Sequence, residues 1–349
     1  MRTVIILIVS ILTSFIVTFF TTPYFRRFLY IAGIVGLDLH KNDRPKLASS
    51  GGICVAFGVL AGLLSYIGLH TFAYGLHSDV SREHITSLLA VTSSVLIVMF
   101  VGFLDDLNVK PKKAITKEGY DIRVGVPQWL KPLLTLPAAV PLMVIQAGET
   151  SMTIPFIGPI PFGILYPLLL VPIGMVGASN VVNMLAGFNG LEAGVGMIYL
   201  LCLGTFGLLH ANTTPETWTG SVIFLITFAA LAGFIKFNWY PAKILPGDSL
   251  TYLLGAMVAA GVIVGNMEKS GVLVMLPFII EFFLKLRSRF KASCLGKLRE
   301  DGKLDPPYGR RVYSWTHILM NLRPMTEKQI TMLLMLIQIC FAILPFLPI

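Results

Sequence analysis

Four short stretches carry the side chains that could do chemistry. Asp105 and Asp106 stand side by side in VGFLDDL. Neighbouring carboxylates repel, which raises one pKa unless a cation is near. A metal ion, or a substrate with a proton to lose, would justify the pair. A solvated helix end is the plainer alternative, although negative charge at a helix C-terminus opposes the macrodipole. Asn180, Asn183 and Asn189 fall in NVVNMLAGFNGLEAG. The first two are one helical turn apart and share a face. Amides offer a carbonyl to a hard cation and an NH2 to a phosphate. Gly187, Gly190 and Gly194 let the backbone turn and approach a ligand closely. Helix packing through small residues would explain the glycines but not the amides. Asp248 follows Pro-Gly in LPGDSLTYLLGA, where it reads equally as an N-cap and as a metal ligand. The fourth stretch, LKLRSRFKASCLGKLREDGKLDPPYGRRVYSWTH, alternates cations with aromatics. It suits a polyanion with a flat base, or anionic lipid heads.

These groups need elements to hold them, and the composition says which. The chain has 349 residues, is 55% hydrophobic and only 13% charged. Soluble globular domains carry about 25% charged residues, so the chain belongs to the membrane class. A bilayer core takes about 20 mainly apolar residues per helix. Ten runs qualify: 3–22, 50–69, 86–104, 129–147, 162–182, 192–210, 219–236, 249–266, 271–286 and 329–347. The fifth and ninth have polar or charged residues crowding their ends. The N-terminal run lacks a small-x-small cleavage site and reads as a retained first span. Cys54, Cys202, Cys294 and Cys340 form no CxxC pair, so neither a zinc site nor a disulfide framework is indicated.

Lys and Arg set the orientation. All but Arg2, Arg82 and Lys269 of the 27 cations fall in the loops after the odd-numbered spans. Those loops are therefore expected in the cytoplasm and both termini outside. All four chemical stretches then face the cytoplasm. The even loops differ: SMTIPFIGPIP, residues 151–161, suggests a small β-hairpin on the outer face. The expected fold is one all-α polytopic transmembrane domain over 1–349, with a basic cytoplasmic loop at about 286–328. Carboxylates and amides for a divalent metal, cations for phosphates and a hydrophobic body for a lipid fit phosphoryl transfer at a membrane surface. A transporter also has many spans with charges inside, but its site generally lies near the midplane. A scaffold would not need these carboxylates and amides on one face. The net charge of +9 follows largely from topology, and no nucleic-acid partner is expected.

VGFLDDL, NVVNMLAGFNGLEAG and LPGDSLTYLLGA together resemble the motifs of the polyprenyl-phosphate N-acetylhexosamine-1-phosphate transferases. The wording of the second motif is similar to the eukaryotic and archaeal branch, which uses UDP-N-acetylglucosamine and dolichyl phosphate. Ala186 stands where bacterial relatives carry an Asp. The likeness runs from GLDLHKNDRPKLASSGG to RPMTEKQITMLLMLIQI, nearly the whole chain. It implies ten helices, a cytoplasmic active site in an integral membrane protein, and Mg2+, with Mn2+ as the alternative. It also implies a UDP-sugar donor, a polyprenyl or dolichyl phosphate acceptor, and room for a homodimer.

Carried over by position, the resemblance makes Asp248 and Asn183 metal ligands. It makes Asp105 and Asp106 the paired carboxylates that deprotonate or position the lipid phosphate, and Lys131 a phosphate contact. Asn108 lies near a further polar site position. Asn180, Gly187 and Asn189 line the donor. Leu245 stands where eukaryotic relatives place an aromatic beside uracil. The basic loop departs most, lacking both the bacterial multi-His motif and the eukaryotic Arg-His-Arg cluster. Arg289, Lys291 and Arg310 are its candidates for the diphosphate, and His317 is either a phosphate donor or a packed histidine. Direct attack by the lipid phosphate is the expected mechanism; a covalent Asp-phosphate is the alternative.

Overall fold

The computed structural model describes residues 2–74, 79–107, 114–115, 121–122, 126–148, 151–154 and 158–347. Long helices dominate: α1 (Arg2–Ile31), α2 (Gly52–Tyr74), α3 (Asp79–Asp106), α7 (Leu191–His210), α8 (Glu216–Asn238), α9 (Gly247–Val264) and α12 (Glu327–Ala342). Between and after them lie α4 (Leu130–Thr135), α5 (Val140–Val144), α6 (Val171–Val182), α10 (Glu268–Leu286) and α11 (Trp315–Leu322). Among the described residues, seven helices are long and apolar enough to cross a bilayer. They coincide with seven of the ten apolar runs, and the chain is an integral membrane protein.

The other three runs differ for identifiable reasons. Run 129–147 is broken into α4, a 3-10 stretch (Leu136–Ala139) and α5, because Pro132, Pro137 and Pro141 each remove a backbone donor. Run 162–182 opens as a wide π-type stretch, Tyr166–Leu170, before α6, with Pro167 and Pro172 at the joins. Run 271–286 is α10, which carries Glu268, Lys269, Glu281 and Lys285.

α9 is the axis of the bundle. Its residues from Ser249 to Val264 are all buried, and it packs on α2, α3, α6 and α8. Close backbone approaches permit this: a side chain at Gly52 would strike the backbone of Ser249 and Leu250, and one at Gly255 that of Ala178. α1 is peripheral. Its Ile5, Ile8, Leu12, Ile16 and Phe20 face outward, while Ser10, Ser14, Thr18 and Thr22 recur every four residues on the buried face. Ser14 Oγ there donates to the Ile226 carbonyl of α8 at 2.8 Å. Small hydroxyl residues let helices approach where lipid supplies no hydrophobic drive.

The connections are more ordered than their composition suggests. β1 (Val35–Leu37) and β2 (Lys46–Ala48) form a hairpin after α1, and β3 (Ala114–Ile115) pairs with β4 (Asp121–Ile122). β5 (Ser151–Ile154) pairs antiparallel with β6 (Gly158–Pro161), where the sequence predicts a hairpin. The stretch expected as a basic loop at 286–328 is a folded module. β7 (Lys297–Leu298), β8 (Lys303–Asp305) and β9 (Met325–Thr326) make a three-stranded antiparallel sheet, with α11 packed on it. The module is pinned to α10: Trp315 donates its backbone N–H to Glu281 at 2.9 Å and its indole N–H to the Pro277 carbonyl at 2.8 Å.

Candidate active site

The end of α3, the start of α9, the start of α4 and the end of α6 meet at one end of the bundle, bringing Asp105 and Asp106, Asp248, Lys131 and Asn183. Asp106 accepts the backbone N–H of Asp248 at 2.8 Å and that of Ser249 at 3.1 Å. Ser50 Oγ donates to its second oxygen at 2.6 Å. A carboxylate from a neighbouring helix thus serves the orphan donors at the N-terminus of α9. Gly247 sits at φ 70°, and any side chain there would collide with the Asp106 carboxylate. Both oxygens of Asp106 are used structurally, so the pair splits: Asp106 builds the site and Asp105 faces it.

Asp105 is buried, accepts the Val126 N–H at 2.6 Å, and is ion-paired with Lys131. The same ammonium lies 3.3 Å from Asp248 Oδ2, and Asn183 Nδ2 is also 3.3 Å from that oxygen. Asp248 is the accessible member, with its side chain 34% exposed against 2% for Asp105. Two carboxylates therefore share one ammonium, with the Asp106 carboxylate beside them on the Asp248 backbone, an excess of negative charge that favours a further cation. No three described His, Cys, Asp or Glu side chains converge closely enough to cage a metal alone. A hard divalent ion held by one carboxylate, an amide and substrate phosphates matches this donor set. The Thr251 hydroxyl lies 3.0 Å from Asn183 Oδ1 and can accept as well as donate. The Asn183 amide can therefore turn its carbonyl toward the Asp248 side and keep its Thr251 partner, giving up the bond to Asp248 Oδ2.

The remaining residues expected at the site divide. Asn180 reaches Thr135 Oγ1 at 3.3 Å and its own helix at Val176 O, so it braces α6 against the end of α4, one turn after Lys131. Gly187 turns the chain at φ 102°, donates to Glu192 at 2.6 Å and is covered by Leu295. Asn189, a candidate for the donor, is 4% exposed, with its side chain hydrogen-bonded to Glu327, Asp38 and Ala242. Leu245 is half-buried, its N–H bound to Ala48 O and its carbonyl to Gly51 N. Asn108 lies outside the described residues.

Arg289, Lys291 and Arg310 are exposed on the C-terminal module. Among the described residues no hydrogen bond or ion pair joins them to the Asp105–Lys131–Asp248 cluster. Lys291 lines a surface pocket with Ser288, Tyr308, Arg311 and Tyr313. Of the two readings open for His317, phosphate donor or packed histidine, its surroundings favour the packed histidine. It is fully buried, Nδ1 accepts the Tyr313 N–H at 3.1 Å and Nε2 donates to Ser293 O at 2.9 Å. Burial, aided by the nearby Lys285 charge, pushes its pKa down to about 4, so it stays neutral. Sequence reasoning missed Ser50 and Glu327, which touch Asp106 and Asn189 only through contacts distant in the chain, and Thr251 and Glu192, which also bond Asp248 and Gly187 within five residues.

Residues 88–266 match the sequence profile of glycosyl transferase family 4. The chain belongs to glycosyl transferase family 4. That stretch of the family 4 chain contains Asp105, Asp106, Lys131, Asn183 and Asp248, and leaves out the first hairpin and the C-terminal module. A putative UDP-N-acetylglucosamine–dolichyl-phosphate N-acetylglucosaminephosphotransferase from Saccharolobus solfataricus is 34% identical over 338 residues, 97% of this chain and 95% of the relative. The enzyme of that name from Dictyostelium discoideum is 25% identical, over 88% of this chain and 79% of the relative. A phospho-N-acetylmuramoyl-pentapeptide-transferase from Streptococcus pyogenes is 29% identical, over 78% and 77%. This family 4 member is thus similar to its N-acetylglucosamine relatives over nearly its whole length, including the parts outside the profile.

Proposed function

We propose that this protein transfers N-acetylglucosamine 1-phosphate from UDP-N-acetylglucosamine to a polyprenyl phosphate of the dolichyl type. UMP is released and polyprenyl-diphosphate N-acetylglucosamine remains in the membrane, the first lipid-linked step of glycan assembly, with N-glycans as its destination. The observation that carries this reading is the meeting of Lys131, Asp105, Asp248 and Asn183 at one end of a transmembrane bundle. A lipid phosphate and a sugar nucleotide can reach that place from opposite phases.

In the proposed step an oxygen of the lipid phosphate attacks the β-phosphorus of the donor. The bond from that phosphorus to the bridging oxygen breaks, and the electron pair leaves with UMP. Lys131 holds the incoming phosphate, and Asp105 orients the Lys131 ammonium. Asp248 and Asn183 would hold Mg2+, which when bound neutralises charge on the diphosphate. Direct attack suits the carboxylates: Asp106 has both oxygens engaged, and Asp105 is held by Val126 and Lys131. Neither presents a free oxygen as a covalent nucleophile.

The reading includes a topology of ten crossings, in which α4–α5, α6 with its preceding turn, and α10 join the seven long spans. Both termini are outside and the Asp248 end faces the cytoplasm, in a single transferase domain. The segregation of cations supports it.

The test is UMP release by purified protein with UDP-N-acetylglucosamine and Mg2+, with and without polyprenyl phosphate. UMP that depends on the lipid is expected; UMP formed equally without it would point to hydrolysis. Asn183→Ala should raise the Mg2+ needed for half-activity about tenfold or more. An unchanged requirement would remove Asn183 from the metal site.

A further inference from the structure

Asn189 cross-links the two loops that carry the active site, and a residue far along the chain controls it. Asn189 Oδ1 accepts the Ala242 N–H at 2.6 Å, in the segment that runs on to Asp248. Its Nδ2 lies 2.9 Å from Glu327 Oε1 and 3.2 Å from Asp38 Oδ2, and its backbone N–H reaches Glu327 Oε1 at 2.7 Å. Ionised carboxylates only accept, so the NH2 must face Glu327 and Asp38, leaving the carbonyl for Ala242.

Glu327 is 3% exposed and is not the cap of its own helix. Thr326 fills that role, in a capping box with Gln329. Glu327 is instead ion-paired with Lys41 of the first hairpin, and His40 Nδ1 stands 3.5 Å from it. The Lys41 ammonium is also 4.0 Å from the ring centre of Tyr240, beside Ala242 in the same segment. A buried carboxylate is costly unless paired and hydrogen-bonded. Here every partner belongs to a loop at the active site or to the hairpin beside it.

We infer that Glu327 is a positioning residue: it orients Asn189 so that the Asn183 loop and the Asp248 loop keep one register, and through Lys41 it ties both to the first hairpin. This rests on the transferase reading above. Glu327, Asp38 and Lys41 all lie outside residues 88–266, so the clasp is supplied by the ends of the chain.

The test compares Glu327→Gln with Glu327→Ala in lipid-dependent UMP release, alongside thermal midpoints. The Gln side chain keeps one acceptor oxygen for Asn189; the Ala side chain keeps none. For Glu327→Ala kcat should fall about tenfold or more with KM for the donor within about threefold, because misplaced loops lose rate more than affinity. Glu327→Gln should stay within about threefold of the unaltered protein. If Glu327→Ala does not purify, Asn189→Asp is read instead. It sets a carboxylate against those of Glu327 and Asp38 and should lose rate, and Asn189→Asp with Glu327→Gln, which relieves the Glu327 clash alone, should regain part of it. Equal loss in Glu327→Ala and Glu327→Gln, failure of the double variant to recover, or an unaffected Glu327→Ala would each overturn the inference. Absence of UMP from the unaltered protein would instead overturn the transferase reading.

Discussion

Asp106 receives the backbone N–H of Asp248 at 2.8 Å, so the buried carboxylate ending α3 fixes the half-buried carboxylate opening α9. The two acidic residues are partners in construction. Asp106 sets the first turn of α9, and that turn aims Asp248 at Lys131 and Asn183.

Asp106→Asn should therefore act through stability as well as rate. The amide would turn a donor toward Asp248 N, Ser249 N or Ser50 Oγ, which already donate. A buried unmatched donor costs about 1–3 kcal/mol. The thermal midpoint should fall and UMP release should fall with it. A variant of unchanged midpoint would show that the Asp106 contacts are dispensable.

Lys131→Gln removes the one ammonium set between Asp105 and Asp248. Loss of a preorganised charge at a transferring phosphoryl group typically costs about 100-fold in rate. kcat/KM should drop by that order without loss of folded protein. A change below about threefold would exclude Lys131 from the phosphate path.

Gly255→Ala should disturb the site from within the membrane. The added methyl meets the Ala178 backbone and forces α6 from α9. Overpacking of this kind costs about 1–3 kcal/mol. The shift also carries Asn183 away from Asp248. Lower midpoint and lower activity together are expected, and an alanine tolerated in both would show that α6 and α9 have slack there.

His317 predicts a pH dependence of stability. Its pKa is about 4 in the folded chain against 6.5 when exposed. Between those values the unfolded chain binds a proton that the folded chain refuses, so stability falls as pH drops from 6.5 toward 4. The contribution is on the order of 3 kcal/mol. Midpoints of the unaltered protein and of His317→Gln, compared at pH 7 and pH 5, isolate it. The variant should show the shallower decline; parallel declines would remove His317 as the cause.

Much of this architecture is legible in the residues themselves. Seven spans follow from apolar run length, since a bilayer demands that length. Asp248, Asn183 and Asp105 are visible because each interrupts apolar helix with a group that needs a reason to be there. What is not legible depends on pairing across distance. Neither Asp106 nor Asp105 announces which of them turns toward backbone. The fold of residues 286–328 rests on strands of two or three residues, and β8 takes a partner about twenty residues away at Thr326. Glu327 reads as a first-turn acid of the last helix, a common helix feature, and its role shows only once Asn189 is beside it. The prolines at 132, 137, 141 and 167 were readable as breakers and outweigh the hydropathy of their runs.

The central claim is transfer of a phosphoryl-sugar to a lipid phosphate, and one measurement addresses it most directly. Donor labelled in the β-phosphate is incubated with the purified protein, polyprenyl phosphate and Mg2+, and the label is followed between organic and aqueous phases. The account predicts that the label enters the lipid in step with UMP release, and that Asp248→Ala abolishes both. Label left in water as UDP while the sugar alone moves, or as free sugar 1-phosphate, would contradict it.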